Sequence, residues 1–334
     1  MRIVLAYSGG RETSAAIPWL REHYRADVIA VTLDLGQGGG LEAVRDRALA
    51  AGAVRAHVVD VREQFAREFV LRSLRADAVL EPGRPMPRAL GRPLIGQALV
   101  DIARIERALA VAHGCDDTGP DRLRIESAVR GLNPGLALLA PAAEWGKSLA
   151  DPATDPRGRE VPRSNAAAFS VDMNLWGRSI APAGGAVPDS AFTLTKPAAA
   201  CPDEPAAVEV AFETGAPMSI NGVTMPLTDL VQSLGTIAGA HGVGRIPDAS
   251  TGGFMEAPAA VVLHAAHGRL RKRAWDDDLT TFARVIGRRY AEIVDRGGWF
   301  SPLRAALDGF VAASQLTVSG TVRLKLFKTT CEVE

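Results

Sequence analysis

Cysteine is scarce in this chain. Cys115, Cys201 and Cys331 are the three among 334 residues, far apart and odd in number, which argues against a disulfide framework or a Cys-x-x-Cys metal site. Net charge is absent too: 38 basic residues face 38 acidic ones, so the total implies no nucleic-acid-binding surface. The basic run Arg269 to Arg273 reads as a solvated helix end. No apolar run approaches the roughly 20 residues that span a bilayer. The N-terminus opens directly on a strand, without the charged, apolar and small-residue order of a signal peptide. These absences point to a cytoplasmic globular protein with neither nucleic acid nor membrane as partner. Two usual phosphate motifs are missing as well, the Gly-Lys-Ser/Thr ending of a Walker loop and the third glycine of a dinucleotide fingerprint.

What is present is a different Gly-rich turn. Ala6, Tyr7, Ser8, Gly9, Gly10, Arg11, Glu12, Thr13 and Ser14 stand between an apolar strand, Arg2 to Tyr7, and a helical pattern starting near Glu12. Gly9 and Gly10 let the backbone turn tightly with its N–H groups outward. Ser8, Thr13 and Ser14 add hydroxyls, and the helix N-terminus adds partial positive charge. Such a loop suits a nucleotide pyrophosphate. An ordinary strand-to-helix turn is the plainer alternative.

Around this loop the chain alternates strand and helix patterns: Arg2 to Tyr7, a helix to Tyr24, Asp27 to Leu35, a helix near Leu41 to Ala51, Arg55 to Val61, and a helix from Arg62 to Arg75. The spacing predicts an α/β fold with a doubly wound parallel sheet, whose ligand lies beyond the carboxyl ends of the strands. A Pro, Gly and Arg-rich loop, Glu81 to Pro93, precedes a long helix and the strand Ala108 to Ala112. Residues 1–150 form this expected nucleotide-binding domain. Residues 151–168 lack periodicity and read as a linker or mobile loop, and 169–334 read as a second, α+β domain with strands Ala207 to Thr214 and Gln315 to Lys328.

Seven segments, in order, then point one way: the Ser-Gly-Gly loop, Asp34-Leu35-Gly36-Gln37, Arg92-Pro93-Leu94-Ile95, Ala112-His113-Gly114-Cys115, Asn174-Leu175-Trp176-Gly177-Arg178-Ser179, His241-Gly242-Val243-Gly244-Arg245-Ile246 and Gly320-Thr321-Val322-Arg323-Leu324-Lys325-Leu326. Together they resemble the argininosuccinate synthase family. The resemblance implies an adenine nucleotide α-hydrolase-like, N-type ATP pyrophosphatase domain followed by a synthetase domain, with ATP and Mg²⁺ as cofactors. It implies adenylation of a ureido oxygen of citrulline, release of pyrophosphate, and displacement of AMP by the amine of aspartate. By motif match Ala6 to Ser14, Leu33, His113, Gly114 and Cys115 bind ATP. Ser8, Glu12 and Asp121 carry the catalytic assignment, and Asp121, Arg124, Ser170 and Ser179 match substrate positions.

Departures from the family accompany the matches. Arg11-Glu12 replaces a Leu-Asp pair and keeps a carboxylate. Asp116 and Pro120 stand where the family has a Thr and an Asn that contact its substrates, unless a register slip gives Thr118-Gly119 that role. An ionised Asp116 would repel an incoming carboxylate by about 4 kcal/mol at 4 Å and a dielectric of about 20. Pro85 and Arg88 replace two hydroxyl residues, with Arg88 a candidate carboxylate clamp. The stretch Ile246 to Gly253 is too short to hold the family's citrulline-binding Glu, and Met255 replaces a Tyr. Hence the expectation of a small-molecule acceptor with a ureido, carbamoyl or amide group and an amine donor, differing from citrulline plus aspartate. Genuine argininosuccinate synthase is the alternative. The chain stops at Glu334, before the family's tail, so the expectation is against the family tetramer, with homo-oligomerisation left open.

Plainer readings stand beside these. Asp121 and Arg124 can be a helix-start acid and a solvated Arg, and Asp116 and Asp117 solvated loop acids. His264 and His267 are three apart on a helix but lack a third ligand, so packing is expected and no metal site is assigned. Cys115 would be the nucleophile of a tRNA sulfur-transfer enzyme, but the absent charge and absent resolving cysteine favour a structural thiol. A nucleotide-binding protein without turnover completes the set.

Overall fold

The computed structural model describes residues 1–80, 83–115, 119–144, 169–248 and 251–334. The expected linker at 151–168 lies outside the described residues. Contacts divide the chain into two compact units that interleave in sequence. One holds Met1–Val61, Arg92–Ala166 and Asp295–Ser301, the other Arg62–Gly91, Ala167–Val294 and Pro302–Glu334.

Among the described residues the first unit is built on five strands: β1 (Arg2–Ala6), β2 (Asp27–Asp34), β3 (Arg55–Asp60), β4 (Ala110–Ala112) and β5 (Ala137–Leu139). All pair in parallel, in the order β3-β2-β1-β4-β5. Central β1 is buried on both faces, with Ile3, Val4 and Leu5 inaccessible, as a parallel strand covered by helices requires. Ile17 and Leu20 of the helix Arg11–His23 pack with Ile3, Leu5, Val28 and Ala30, each buried Ile, Leu or Val contributing about 1.5 to 3 kcal/mol. From β1 the chain winds outward to β2 and β3, then returns to β4 on the other side. The switch point, beyond whose carboxyl ends doubly wound sheets place their ligands, is therefore between β1 and β4.

The second unit contains β6 (Phe169–Asn174), β7 (Gly177–Pro182), β8 (Ala206–Glu213), β9 (Ala216–Ile220), β10 (Val223–Thr224), β11 (Arg245–Asp248), β12 (Gly253–Glu256), β13 (Gly320–Phe327) and β14 (Thr330–Val333). They form two antiparallel sheets, β11-β12-β7-β6 and β10-β9-β8-β13-β14. In the larger sheet Val208 and Val210 stand opposite Leu324 and Val322, all buried, so period-two patterning sets the register. The helical run from Arg62 to Ala76 passes through a π-helical stretch at Phe65–Val70, which buries Phe65, Ala66, Phe69 and Val70.

Two local expectations change. The loop expected over Glu81 to Pro93 ends early, because the helix already starts at Pro87 and runs to Glu106. Arg88 thus lies in a helix's first turn, where Asn174 Nδ2 donates to the Pro87 carbonyl at 2.8 Å. The strand expected from Gln315 begins at Gly320, since Gln315 is drawn into the core. Its Oε1 accepts from His267 Nε2 at 2.7 Å and its Nε2 donates to the Arg75 carbonyl. His264 bonds instead to Asp77, so the two histidines have separate packing roles.

His267 is fully buried, with Nδ1 facing no partner among the described residues, and burial pushes its pKa down to about 3. The unfolded chain takes up this proton near pH 6.5 while the folded one refuses it, so this stability is present above pH 6.5 and lost as pH falls toward 3. The slope is about 1.4 kcal/mol per pH unit. Urea unfolding at pH 7.5 and 5.0 should show the parent losing about 2 kcal/mol more than His267→Gln between the two conditions.

Candidate active site

The Ser-Gly-Gly turn leaves β1 at the switch point. Thr32 on β2 donates to the Tyr7 carbonyl at 2.8 Å, and the Tyr7 amide donates to Val31, fixing where the loop departs. Gly9 adopts φ +76°, a left-handed conformation that side chains rarely take. The Gly10 amide donates to Ser8 Oγ at 3.2 Å, Ser8 Oγ meets Thr13 Oγ1 at 3.2 Å, and the Tyr7 hydroxyl meets Ser14 Oγ at 2.8 Å. These bonds preorganise the turn. The helix Arg11–His23 begins with no side-chain cap, and its first internal bond runs from Ser14 to Gly10. The amides of Arg11, Glu12 and Thr13 therefore have no intrahelical acceptor and sit at the positive end of the helix dipole.

The loop after β4 closes on the same helix end. A Cβ on Gly114 would come within 2.6 Å of Thr13 Cγ2, so glycine permits the approach. The His113 ring is 1% exposed and turned inward: its Nδ1 accepts the Cys115 amide at 3.3 Å, and Nε2 lies 3.4 Å from Glu126 Oε1. Burial holds its pKa below the ordinary value, with Glu126 acting in opposition. In this arrangement the His113 ring faces Cys115 and Glu126. Leu33 is the penultimate residue of β2, at the same carboxyl end of the sheet, and its carbonyl accepts from Gln37 Nε2 at 2.6 Å. Ala6 to Ser14, Leu33, Gly114 and Cys115 are thus brought to one end of one sheet. Asp116 and the alternative register through Thr118 lie outside the described residues.

Asp121 and Arg124 stand on the helix Pro120–Leu132, each 5% exposed. Arg92 Nε donates to Asp121 Oδ2 at 2.8 Å and Arg124 Nη1 to Oδ1 at 2.9 Å, while Arg124 Nη2 reaches Asp295 Oδ1 at 2.5 Å. The solvated-charge alternative is overturned here. Both residues belong to a buried ionic chain whose members hold each other in place.

In the second unit, Ser170 on β6 and Ser179 on β7 lie on one face of the smaller sheet. Ser179 stands opposite Asp172, two residues from Ser170, and opposite Met255 on β12. Arg88 is exposed at the start of the helix Pro87–Glu106. Sequence patterning does not mark Arg47. Its Nη2 lies 2.8 Å from where a Gly9 Cβ would stand, beside both methyls of Val44 at 3.1 Å. The available signal was helical spacing, because Val44 and Arg47 are three apart on Leu41–Ala50.

Comparison with known proteins accounts for both units. Residues 2–153 match the model of the arginosuccinate synthase N-terminal HUP domain, and residues 169–334 match that of the C-terminal domain. A relative named argininosuccinate synthase from Bacillus licheniformis is 42% identical over 98% of this chain and 84% of its own length. One of the same name from Symbiobacterium thermophilum is 43% identical over 98% and 85%, and one from Dehalococcoides mccartyi is 42% identical over 98% and 84%. These names favour the genuine synthase over the altered-substrate expectation. Among the described residues no helix is long and apolar enough to cross a membrane. The chain belongs to the argininosuccinate synthase family of ATP-dependent, AMP-forming C–N ligases.

Proposed function

We propose that this chain carries out the reaction for which its relatives are named. A ureido oxygen of citrulline attacks the α-phosphate of ATP, pyrophosphate leaves, and the amine of aspartate displaces AMP from the activated carbon. The agreement along 98% of the chain with proteins named argininosuccinate synthase supports this reading most directly. Local chemistry agrees with it. A ureido carbon is a poor electrophile, and adenylation turns its oxygen into a good leaving group, so the enzyme's task is positioning and charge neutralisation. The free amides of Arg11, Glu12 and Thr13, with the Ser8 and Thr13 hydroxyls, receive phosphate oxygens at the helix end. Asp121 and Arg124, at positions the resemblance matches to substrate contacts, are held rigid by Arg92 and Asp295.

Mg²⁺ fits the residues present as a partner of the nucleotide. No group of three possible ligands occurs among the described residues, and Glu12 offers an exposed carboxylate at the loop. Magnesium is commonly held by one or two carboxylates plus substrate phosphates, and it supplies neutralisation of phosphate charge. Glu12 is the group this chain would contribute.

A second reading keeps adenylation and changes the acceptor or the amine. Its observation is Met255, an apolar side chain opposite Ser179 where the family resemblance places a tyrosine. Asp116, Pro120 and Arg88 point the same way. One experiment separates the readings: purified protein is incubated with ATP, citrulline and aspartate, and pyrophosphate, AMP and the condensed product are quantified by mass. Equimolar products at ordinary Michaelis constants support the first reading and sink the second. Pyrophosphate release only with another ureido, carbamoyl or amide acceptor, or another amine, supports the second and sinks the first. No release with any acceptor would leave a nucleotide-binding protein without turnover.

A further inference from the structure

We propose that Arg47 is a phosphate-contacting residue of the nucleotide site, gripping the outer phosphates of ATP and the pyrophosphate that leaves. The inference rests on reading Ala6 to Ser14 as the triphosphate loop. Val44 and Arg47 share a face of the helix Leu41–Ala50, and Val44 packs on the core of the parallel sheet. That packing fixes which way the face points. It brings the Arg47 guanidinium onto Gly9, with Nη2 at 2.8 Å from the absent Cβ, so the lack of a side chain at Gly9 is what admits it. Arg45, two residues earlier, is bound by Asp46 at 2.9 Å. The Arg47 guanidinium makes no hydrogen bond or ion pair among the described residues.

The loop itself contributes amide dipoles, hydroxyls and one exposed cation, Arg11 at the first helical position, while its acid, Glu12, has the wrong sign for direct phosphate contact. Arg47 adds a second cation, on the Gly9 side of the turn. A departing pyrophosphate gains charge as the α,β bond breaks. A guanidinium answers that change because it stays charged at every relevant pH and binds two oxygens at once.

Isothermal titration of the parent, Arg47→Met, Arg47→Lys and Arg45→Met with inorganic pyrophosphate, a non-hydrolysable ATP analogue and adenosine tests the assignment. Arg47→Met should bind pyrophosphate and the analogue about tenfold more weakly or worse, with adenosine affinity and thermal midpoint unchanged. Arg47→Lys should recover part of the loss, and Arg45→Met should match the parent. In turnover, the KM for ATP should rise while those of the acceptor and amine change less than about twofold. Equal pyrophosphate affinity in the parent and Arg47→Met overturns the proposal, as does an equal loss of adenosine binding, which marks a structural defect. A parent that binds neither pyrophosphate nor the analogue overturns the nucleotide reading of the loop and this proposal with it. A parent that binds both, beside an unaffected Arg47→Met, overturns Arg47 alone.

Discussion

Gly9→Ala should lower kcat/KM for ATP by about 100-fold or more while the protein remains folded. At φ +76° an added Cβ is strained whatever space surrounds it, at a cost of about 1 to 2 kcal/mol. It would also stand 3.1 Å from both Val44 methyls and 2.8 Å from Arg47 Nη2. The guanidinium is the end of a flexible chain and yields readily. Val44 is anchored on the sheet core and does not, so the strain is relieved by movement of the loop itself. The amides that receive phosphate then move, and displacement of about 1 Å at a reacting centre is worth about 100-fold in rate. Steady-state kinetics with varied ATP, beside circular dichroism and a thermal scan, check the prediction. Near-parent kcat/KM would show that the loop does not hold the phosphates.

Glu256→Ala should destabilise the second unit by about 3 to 5 kcal/mol. The Glu256 side chain is wholly buried. Its Oε1 accepts the amides of Leu194 at 3.0 Å and Thr195 at 2.8 Å and the Thr195 hydroxyl at 2.7 Å; its Oε2 accepts the Thr193 amide at 3.1 Å and Arg178 Nη1 at 3.2 Å. Removing the carboxylate leaves three amides, a hydroxyl and a guanidinium without that acceptor in a dry interior, whereas Glu256→Gln keeps much of the network and should cost less. Because β12 and β7 carry Met255 and Ser179, surviving Glu256→Ala protein should also show a raised KM for the acceptor. Urea denaturation and acceptor kinetics test the two halves separately. A midpoint equal to the parent's would mean that the interior reorganises around the loss.

Both sites are preorganised by side chains distant in sequence, and this separates what was legible from what was not. The alternation from Arg2 to Asp60 was readable to within a residue or so, because apolar periodicity and turn glycines are local properties. The Ser-Gly-Gly turn was readable for the same reason: its glycines, hydroxyls and helix start are contiguous. The smaller sheet was not anticipated. Its strands are four to six residues long, and their pairing joins Phe169–Pro182 to Arg245–Glu256 across some sixty intervening residues. Arg124 illustrates the limit at a single residue. Its plainer reading is a solvated Arg; Asp121 lies three residues away, but Asp295, which completes its partners, comes from 171 residues later and no local pattern shows it.

Sequence alone determined the α/β class, the Ser-Gly-Gly loop and, through seven ordered segments, the family, because each of these is written in residues near one another along the chain. Tertiary structure decided the rest. It assigned Arg62–Gly91 to the second unit, set the His113 ring beside Cys115 and Glu126, buried Glu256 and Gln315, and laid Arg47 against Gly9. The physical reason is common to all of them. Burial and electrostatic pairing depend on which distant group arrives at a side chain, and a position in the sequence does not carry that information until the chain has folded.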